Sequence, residues 1–160
     1  MRIMVPVDLT GDSAALVRYA ARLCTRVGGD LTILHVYTAE AALAALRESG
    51  LFLDLYIARL RSELNFLQAK AGMSGLKPRI EVLEGEPVSV ILTRAAEMKT
   101  ELIVMGTHRR AGLSRFLMGS VAEGVLRRAP CPVVLIPVSI LAGRRDVAGR
   151  PRETSAAGAV

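Results

Sequence analysis

Apolar positions along the chain recur in two rhythms, short unbroken runs and longer stretches spaced three and four residues apart. Ile3 to Val7 is such a run, the pattern of a strand buried on both faces of a parallel sheet. Leu16, Val17, Ala20, Leu23, Cys24 and Val27 follow helical spacing, and Gly28-Gly29 supplies the stop. Leu31 to Tyr37 returns to the strand pattern. The segment up to Gly50 has no clear rhythm. Beyond it Leu53, Ile57, Leu60, Leu64, Leu67 and Ala71 form one apolar stripe that Gly72 closes.

Arg79 to Glu84 alternates charged with apolar residues, which suits an exposed edge strand. Pro87 stands where a helix can begin, because a first-turn residue needs no N–H partner. Val88, Ile91, Leu92, Ala95 and Met98 carry that helix, and Leu102 to Met105 is another short buried strand. Ser120-x-x-Glu123 reads as a capping box opening a helix through Arg128, despite the helix-weakening Gly124. Pro130, Cys131 and Pro132 break that helix, and Val133 to Ile136 is the last strand. The order β-α-β-α-β-α-β-loop-α-β predicts an α/β fold, with a parallel sheet covered by helices on both faces and right-handed crossovers.

A length of 160 residues suits one domain able to bury a core without metal or disulfide help. Aromatic residues make up only 4%, so the core must be aliphatic. Cys24 and Cys131 form no C-x-x-C, which gives no redox or zinc motif and makes a reduced cytoplasm the expected setting. No apolar run approaches bilayer-spanning length, so no membrane association is expected. The start, MRIMVPVDLT, is too short and too soon polar for a secretory segment. The net charge of +6 raises nucleic acid as a partner. Part of that excess falls in a Gly-, Ala- and Arg-rich end, read as a disordered basic tail over 141–160 behind a domain over 1–140. The basic segments have no stacking aromatics, so nucleic-acid binding is not expected.

In open α/β sheets, ligands gather beyond the carboxyl ends of the strands, where the strand order reverses. The stretches to inspect are VDLTGDS after the first strand and GTHRRAG after the fourth. The first contains neither G-x-G-x-x-G nor G-x-x-x-x-G-K-(S/T). Its Asp8 stands at the strand exit, able to accept hydrogen bonds from a sugar or to meet a cation, and equally able to serve as a helix-entry residue. In the second, Gly106 allows a backbone turn closed to other residues and a close approach to the main chain. Gly119-Ser120 opens a helix, whose free N–H groups and positive dipole end attract anions. His108, Arg109, Arg110 and Arg115 add positive potential. Singly, these are a turn glycine, a cap and a solvated basic loop; together they favour an anion site.

These residues resemble the universal stress protein family. The resemblance runs from about Arg2 to Val138 and rests on VPVDLT, ILHVY, EGEP and LIVMGTHRRAGLSRFLMGSVAEGVLRRAPCPVVLIP. It implies a three-layer α/β/α Rossmann-like fold with a five-stranded parallel sheet in the order 3-2-1-4-5, its reversal between strands one and four. In ATP-binding members the fourth-strand loop reads G-x2-G-x9-G-(S/T). Here the marked positions are Gly106, Arg109 and Gly119-Ser120, so arginine replaces the second glycine. By that resemblance Met105, Gly106, His108 and Arg109 line the ribose and phosphate path. Gly119, Ser120 and Val121 hold the phosphates, while Pro6, Val7, Asp8 and Val36 enclose adenine and ribose. The implied ligand is ATP, with Mg²⁺ held mainly by its phosphates. A left-handed backbone at Arg109 costs roughly 1–2 kcal/mol, and its side chain can fill the phosphate channel. A guanidinium at the rim can instead bind a phosphate bidentately.

His35, within the second strand, reads as a packed and hydrogen-bonded residue rather than a ligand or base. Cys131 reads as a small core residue. No constellation for fast chemistry is present, so the chain is expected not to be an enzyme beyond slow ATP hydrolysis. The expected function is a stress-response nucleotide sensor or switch; the alternative is an interaction module that binds no nucleotide. The apolar stretch VVLIPVSI reads as an unpaired last strand, and two such edges are expected to pair in a homodimer.

Overall fold

A computed structural model of the chain describes residues 1–50, 52–72, 75–107 and 119–143. Its strands are β1 (Arg2–Pro6), β2 (Asp30–Tyr37), β3 (Arg79–Glu84), β4 (Leu102–Thr107) and β5 (Val133–Pro137). They form one five-stranded sheet in the order β3-β2-β1-β4-β5, and every neighbouring pair is parallel. The helices are α1 (Ser13–Val27), α2 (Ala39–Ser49), α3 (Leu53–Lys70), α4 (Pro87–Glu97), α5 (Ser120–Arg128) and α6 (Val138–Gly143).

Successive side chains of a strand point to opposite faces, and β1 shows the consequence. Ile3, Val5 and Val7 join α1 and α3 in one apolar cluster, while Met4 joins α4 and α5 in another. In β4, Val104 packs into the first cluster and Ile103 and Met105 into the second. Ile3 to Val7 and Leu102 to Met105 are therefore unbroken apolar runs because both faces of β1 and β4 are covered. The edge strand β3 alternates, and its Glu81 turns back under α4. The Arg94 guanidinium donates to Glu81 from Nε to Oε2 at 2.6 Å and from Nη2 to Oε1 at 2.6 Å. That fork holds the Glu81 carboxyl below its ordinary pKa, the hydrogen bond to Arg94 being the largest cause.

Three local expectations change. The unclear stretch before Gly50 is the helix α2, opened by Thr38, whose side chain accepts from the Ala41 N–H at 3.1 Å. VVLIPVSI is not one strand: pairing with β4 ends at Thr107 and Pro137, and Val138 begins α6. With no strand partner beyond that point among the described residues, the backbone meets its hydrogen-bonding needs as helix. The described chain is helical from Val138 to Gly143. The rest of the expected tail, 144–160, lies outside the described residues. Gly124 has a packing reason, since a Cβ there would sit 2.9 Å from Val88 Cγ2 of α4.

Candidate functional site

The two halves of the sheet diverge from β1, which pairs with β2 on one side and β4 on the other. A cleft of about 610 Å³ opens at the carboxyl ends of these strands. Pro6, Val7 and Asp8 from the β1 exit, Val36 from β2, and Met105 and Gly106 from β4 all line it. Gly119, Ser120 and Val121 at the start of α5 form another part of its wall. The expected residues His108 and Arg109, with Arg110 and Arg115, lie outside the described residues.

Asp8 organises its own turn. Its Oδ1 accepts from the Thr10 N–H at 3.1 Å, the Thr10 hydroxyl at 2.8 Å and the Ser13 hydroxyl at 3.1 Å. The helix-entry residue is instead Asp12, the N-cap of α1. Between Asp8 and Thr10 the chain passes through Leu9 in the left-handed region, at φ 60. That backbone costs a non-glycine residue roughly 1–2 kcal/mol, offset here because the Leu9 side chain packs against two apolar clusters. His35 is buried, with Nδ1 2.9 Å from the Val7 carbonyl oxygen. A carbonyl only accepts, so Nδ1 carries the proton, and the ring ties β2 to the β1 exit as a packed residue.

Gly106 differs from the expected turn glycine. It lies inside β4 opposite Ile136 and is not among the residues with positive φ. What it requires is smallness: a Cβ would lie 3.0 Å from Val138 Cγ1 and 3.4 Å from Leu16 Cδ2. Gly106 thus lets α6 and α1 close over the strand end.

The capping box also shifts by one residue. Gly119, at φ −62 and ψ 151, is the N-cap of α5, and Ser120 is the first helical residue. The Glu123 N–H donates to the Gly119 carbonyl at 2.9 Å. The Glu123 side chain turns outward to Arg127, whose Nη2 donates to Oε1 at 2.7 Å. Serine and glycine are both accepted at an N-cap, and the extended backbone at Gly119 decides between them. Among the described residues, no side chain caps this helix. Its first N–H groups and positive dipole end therefore stand at the wall of the cleft.

Sequence reasoning missed several lining residues, including Thr10, Asp12 and Ser13 beside α1, and Pro87 and Ile91 of α4. One signal was available: in a parallel α/β sheet each helix after a strand starts at the carboxyl edge, so the first residues of α1, α4 and α5 share one end. Pro87 follows Glu86, whose carboxylate accepts from the Ser89 and Val88 N–H groups at 2.7 and 3.0 Å. Those bonds hold the Glu86 carboxyl below its ordinary range, the one from Ser89 first. Cys131 is half-buried, and burial pushes its thiol up, away from reactive thiolate character. Among the described residues, no group of three or more His, Cys, Asp or Glu is placed to hold a metal ion. No helix among them is long and apolar enough to cross a membrane.

Three comparisons bear on this arrangement. The model of the universal stress protein family matches residues 1–137. A universal stress protein of Methanocaldococcus jannaschii is 30% identical over 137 residues, 84% of this chain and 81% of that protein. The Archaeoglobus fulgidus universal stress protein solved in complex with dAMP superposes with a TM-score of 0.63 at 27% identity, covering 85% of this chain and 97% of that one. A universal stress protein solved in complex with cAMP shares the fold, with a TM-score of 0.64 at 22% identity over 86% of this chain and 97% of that one. Strand order, the cleft between β1 and β4, and sequence all lead to one conclusion: the chain belongs to the universal stress protein family.

Proposed function

We propose that the cleft binds an adenine nucleotide, with ATP as the ligand, and that its occupancy makes the protein a stress-response sensor or switch. The observation that carries this reading is the start of α5, uncapped by any side chain among the described residues, at the wall of a cleft of about 610 Å³. Clefts for small molecules run from roughly 300 to 1,000 Å³, so the size suits a nucleotide. The chemistry suits its three parts. Leu34, Val36, Ile91 and Met105 offer apolar wall for a base, Asp8 a carboxylate for sugar hydroxyls, and Gly119, Ser120 and Val121 main-chain N–H groups for phosphate. The dAMP complex of the Archaeoglobus relative supports the same ligand class. On this reading Mg²⁺ arrives held mainly by the phosphates, and turnover is at most slow ATP hydrolysis.

Calorimetry with ATP, ADP, AMP and cyclic AMP from micromolar to millimolar concentration tests the proposal, with binding of ATP expected. No heat from any of them removes it and leaves the interaction-module reading. Arg109→Gly then assigns the arginine: tighter ATP binding means that it obstructs the phosphate path, and weaker binding means that it holds phosphate.

We further propose a homodimer in which the β5 edges of two chains pair. Among the described residues β5 ends the sheet order and pairs only with β4, and Val133, Val134 and Leu135 are half-buried along it. A monomeric mass by light scattering at micromolar concentration contradicts this.

A further inference from the structure

Helix α1 carries a row of cations away from the cleft. Arg18, Arg22 and Arg26 recur four residues apart, so they neighbour one another on the helix surface and rise about 6 Å per step. The helix contains no acidic residue. Arg22 and Arg26 are exposed, and among the described residues neither side chain has a hydrogen-bond or ion-pair partner. Arg26 stands in the last turn, where a cation complements the helix dipole; Arg22 lies a turn earlier and has no such role. Arg18 reaches across to α3, its Nη2 donating to the Lys70 carbonyl at 2.9 Å. Lys70 Nζ lies 4.4 Å from the centre of the Phe66 ring, and Phe66 remains 59% exposed. None of these residues lines the cleft.

We propose that this face of α1 and α3 binds single-stranded nucleic acid, with the arginines and Lys70 on the phosphates and Phe66 under a base. Along the sequence the basic segments carry no aromatic residue. Packing of α3 on α1 supplies one, joining Arg18 to a residue 52 positions away. A polynucleotide strand carries one negative charge per nucleotide. Guanidinium groups set at a regular step on a rigid helix meet such a repeat, and each can bind phosphate bidentately. Every base has a π-face that stacks on an exposed ring whatever the sequence. In a duplex those faces are covered by the neighbouring pairs, so the ring favours a single strand. An acidic peptide would meet the arginines and leave the ring without a role.

The test is fluorescence anisotropy of the full chain with a labelled oligothymidylate of about 15 nucleotides, over a range of salt concentrations, with thermal unfolding recorded for each variant. Three or four neutralised phosphates give a slope of log K against log salt of about −2 to −3. Arg22→Gln combined with Arg26→Gln is expected to bring the slope to about −1 and to weaken binding about tenfold at low salt. Phe66→Leu is expected to weaken binding about fivefold or more with the slope unchanged. Arg128→Gln removes one exposed charge from α5, on the opposite face of the sheet, and is expected to stay within about twofold. Arg22, Arg26 and Phe66 are all exposed, so their variants are expected to fold. No binding at low salt overturns the proposal. So does unchanged affinity in the arginine pair, which would assign binding to other cations of the chain, or unchanged affinity in Phe66→Leu. A duplex of the same length bound as tightly, or retention on phosphatidylserine vesicles in place of the oligonucleotide, overturns it as well.

Discussion

Replacing Gly124 with alanine sets two effects of similar size against each other. Alanine is the better helix former by about 0.8–1.0 kcal/mol, so within α5 alone the change stabilises. Against α4 it does not. The added Cβ would lie 2.9 Å from Val88 Cγ2 and 3.1 Å from Val88 Cγ1, where carbon atoms prefer roughly 3.5–4.0 Å. Val88 is 8% exposed, and a β-branched side chain in a helix has one strongly preferred rotamer, so its methyls cannot turn aside. The helices must separate instead, and overpacking of this kind costs about 1–3 kcal/mol. The net expectation is a loss of about 1 kcal/mol, read as a Tm lower by about 2–4 °C. Removing the two methyls with Val88→Ala should reverse the sign, making Gly124→Ala neutral or stabilising by up to about 1 kcal/mol on that background. Urea unfolding of the four proteins measures a coupling of about 1–2 kcal/mol. Gly124→Ala stabilising the wild type, or acting equally on both backgrounds, refutes the close-packing argument. Because α4 and α5 supply Pro87, Ile91, Ser120 and Val121 to the cleft, the same spreading is expected to weaken ATP binding.

Glu81→Gln breaks the bidentate fork from Arg94 and is expected to cost about 1–2 kcal/mol in urea unfolding. Arg94 lowers the native pKa of Glu81 below the ordinary 4.5, so this contribution is complete above that value and is lost as pH falls through the native one. Wild-type stability should therefore decline on acidification, and the Glu81→Gln variant should decline less steeply. Glu86→Ala removes the acceptor for the Ser89 and Val88 N–H groups and is expected to lower Tm at neutral pH; its carboxyl too is held low, so the penalty should fade in acid. Ser120→Ala should change stability by less than about 0.5 kcal/mol, because Gly119 and not Ser120 is the N-cap of α5, while ATP affinity falls. A stability loss near 1 kcal/mol, the usual cost of a lost cap, would restore Ser120 to the capping role.

Much of the fold is local and was legible. Ile3–Val7 and Leu102–Met105 are apolar on both alternating faces, which only a covered central strand requires. The Arg79–Glu84 alternation marked the sheet edge, and Pro87 marked a helix start. What escaped lacked a local signal. α2 buries only Ala42, so no stripe declares it. Val138 to Ile140 reads as strand by residue type but forms the start of α6, where the described pairing with β4 has stopped at Pro137. The site divides along the same line. Val7, Asp8 and Gly106 follow from strand exits, since a parallel sheet brings carboxyl ends together, whereas Pro6, Val36 and Met105 follow from the family resemblance. Thr10 and Ser13 do not, and neither do Ile91 or the packing need of Gly106 for Val138 and Leu16.

The sequence by itself determined the period of each element, hence which side chains face inward, and so the α/β class and the edge of the sheet where a ligand can sit. Only the tertiary structure decided which inward faces meet: α1 over one side of β1, α4 and α5 over the other, and the start of α5 beside the same cleft as Asp8. The reason is physical. A side chain's direction is set by backbone geometry a few residues long, whereas its neighbours across the sheet are set by contacts between segments far apart in the chain.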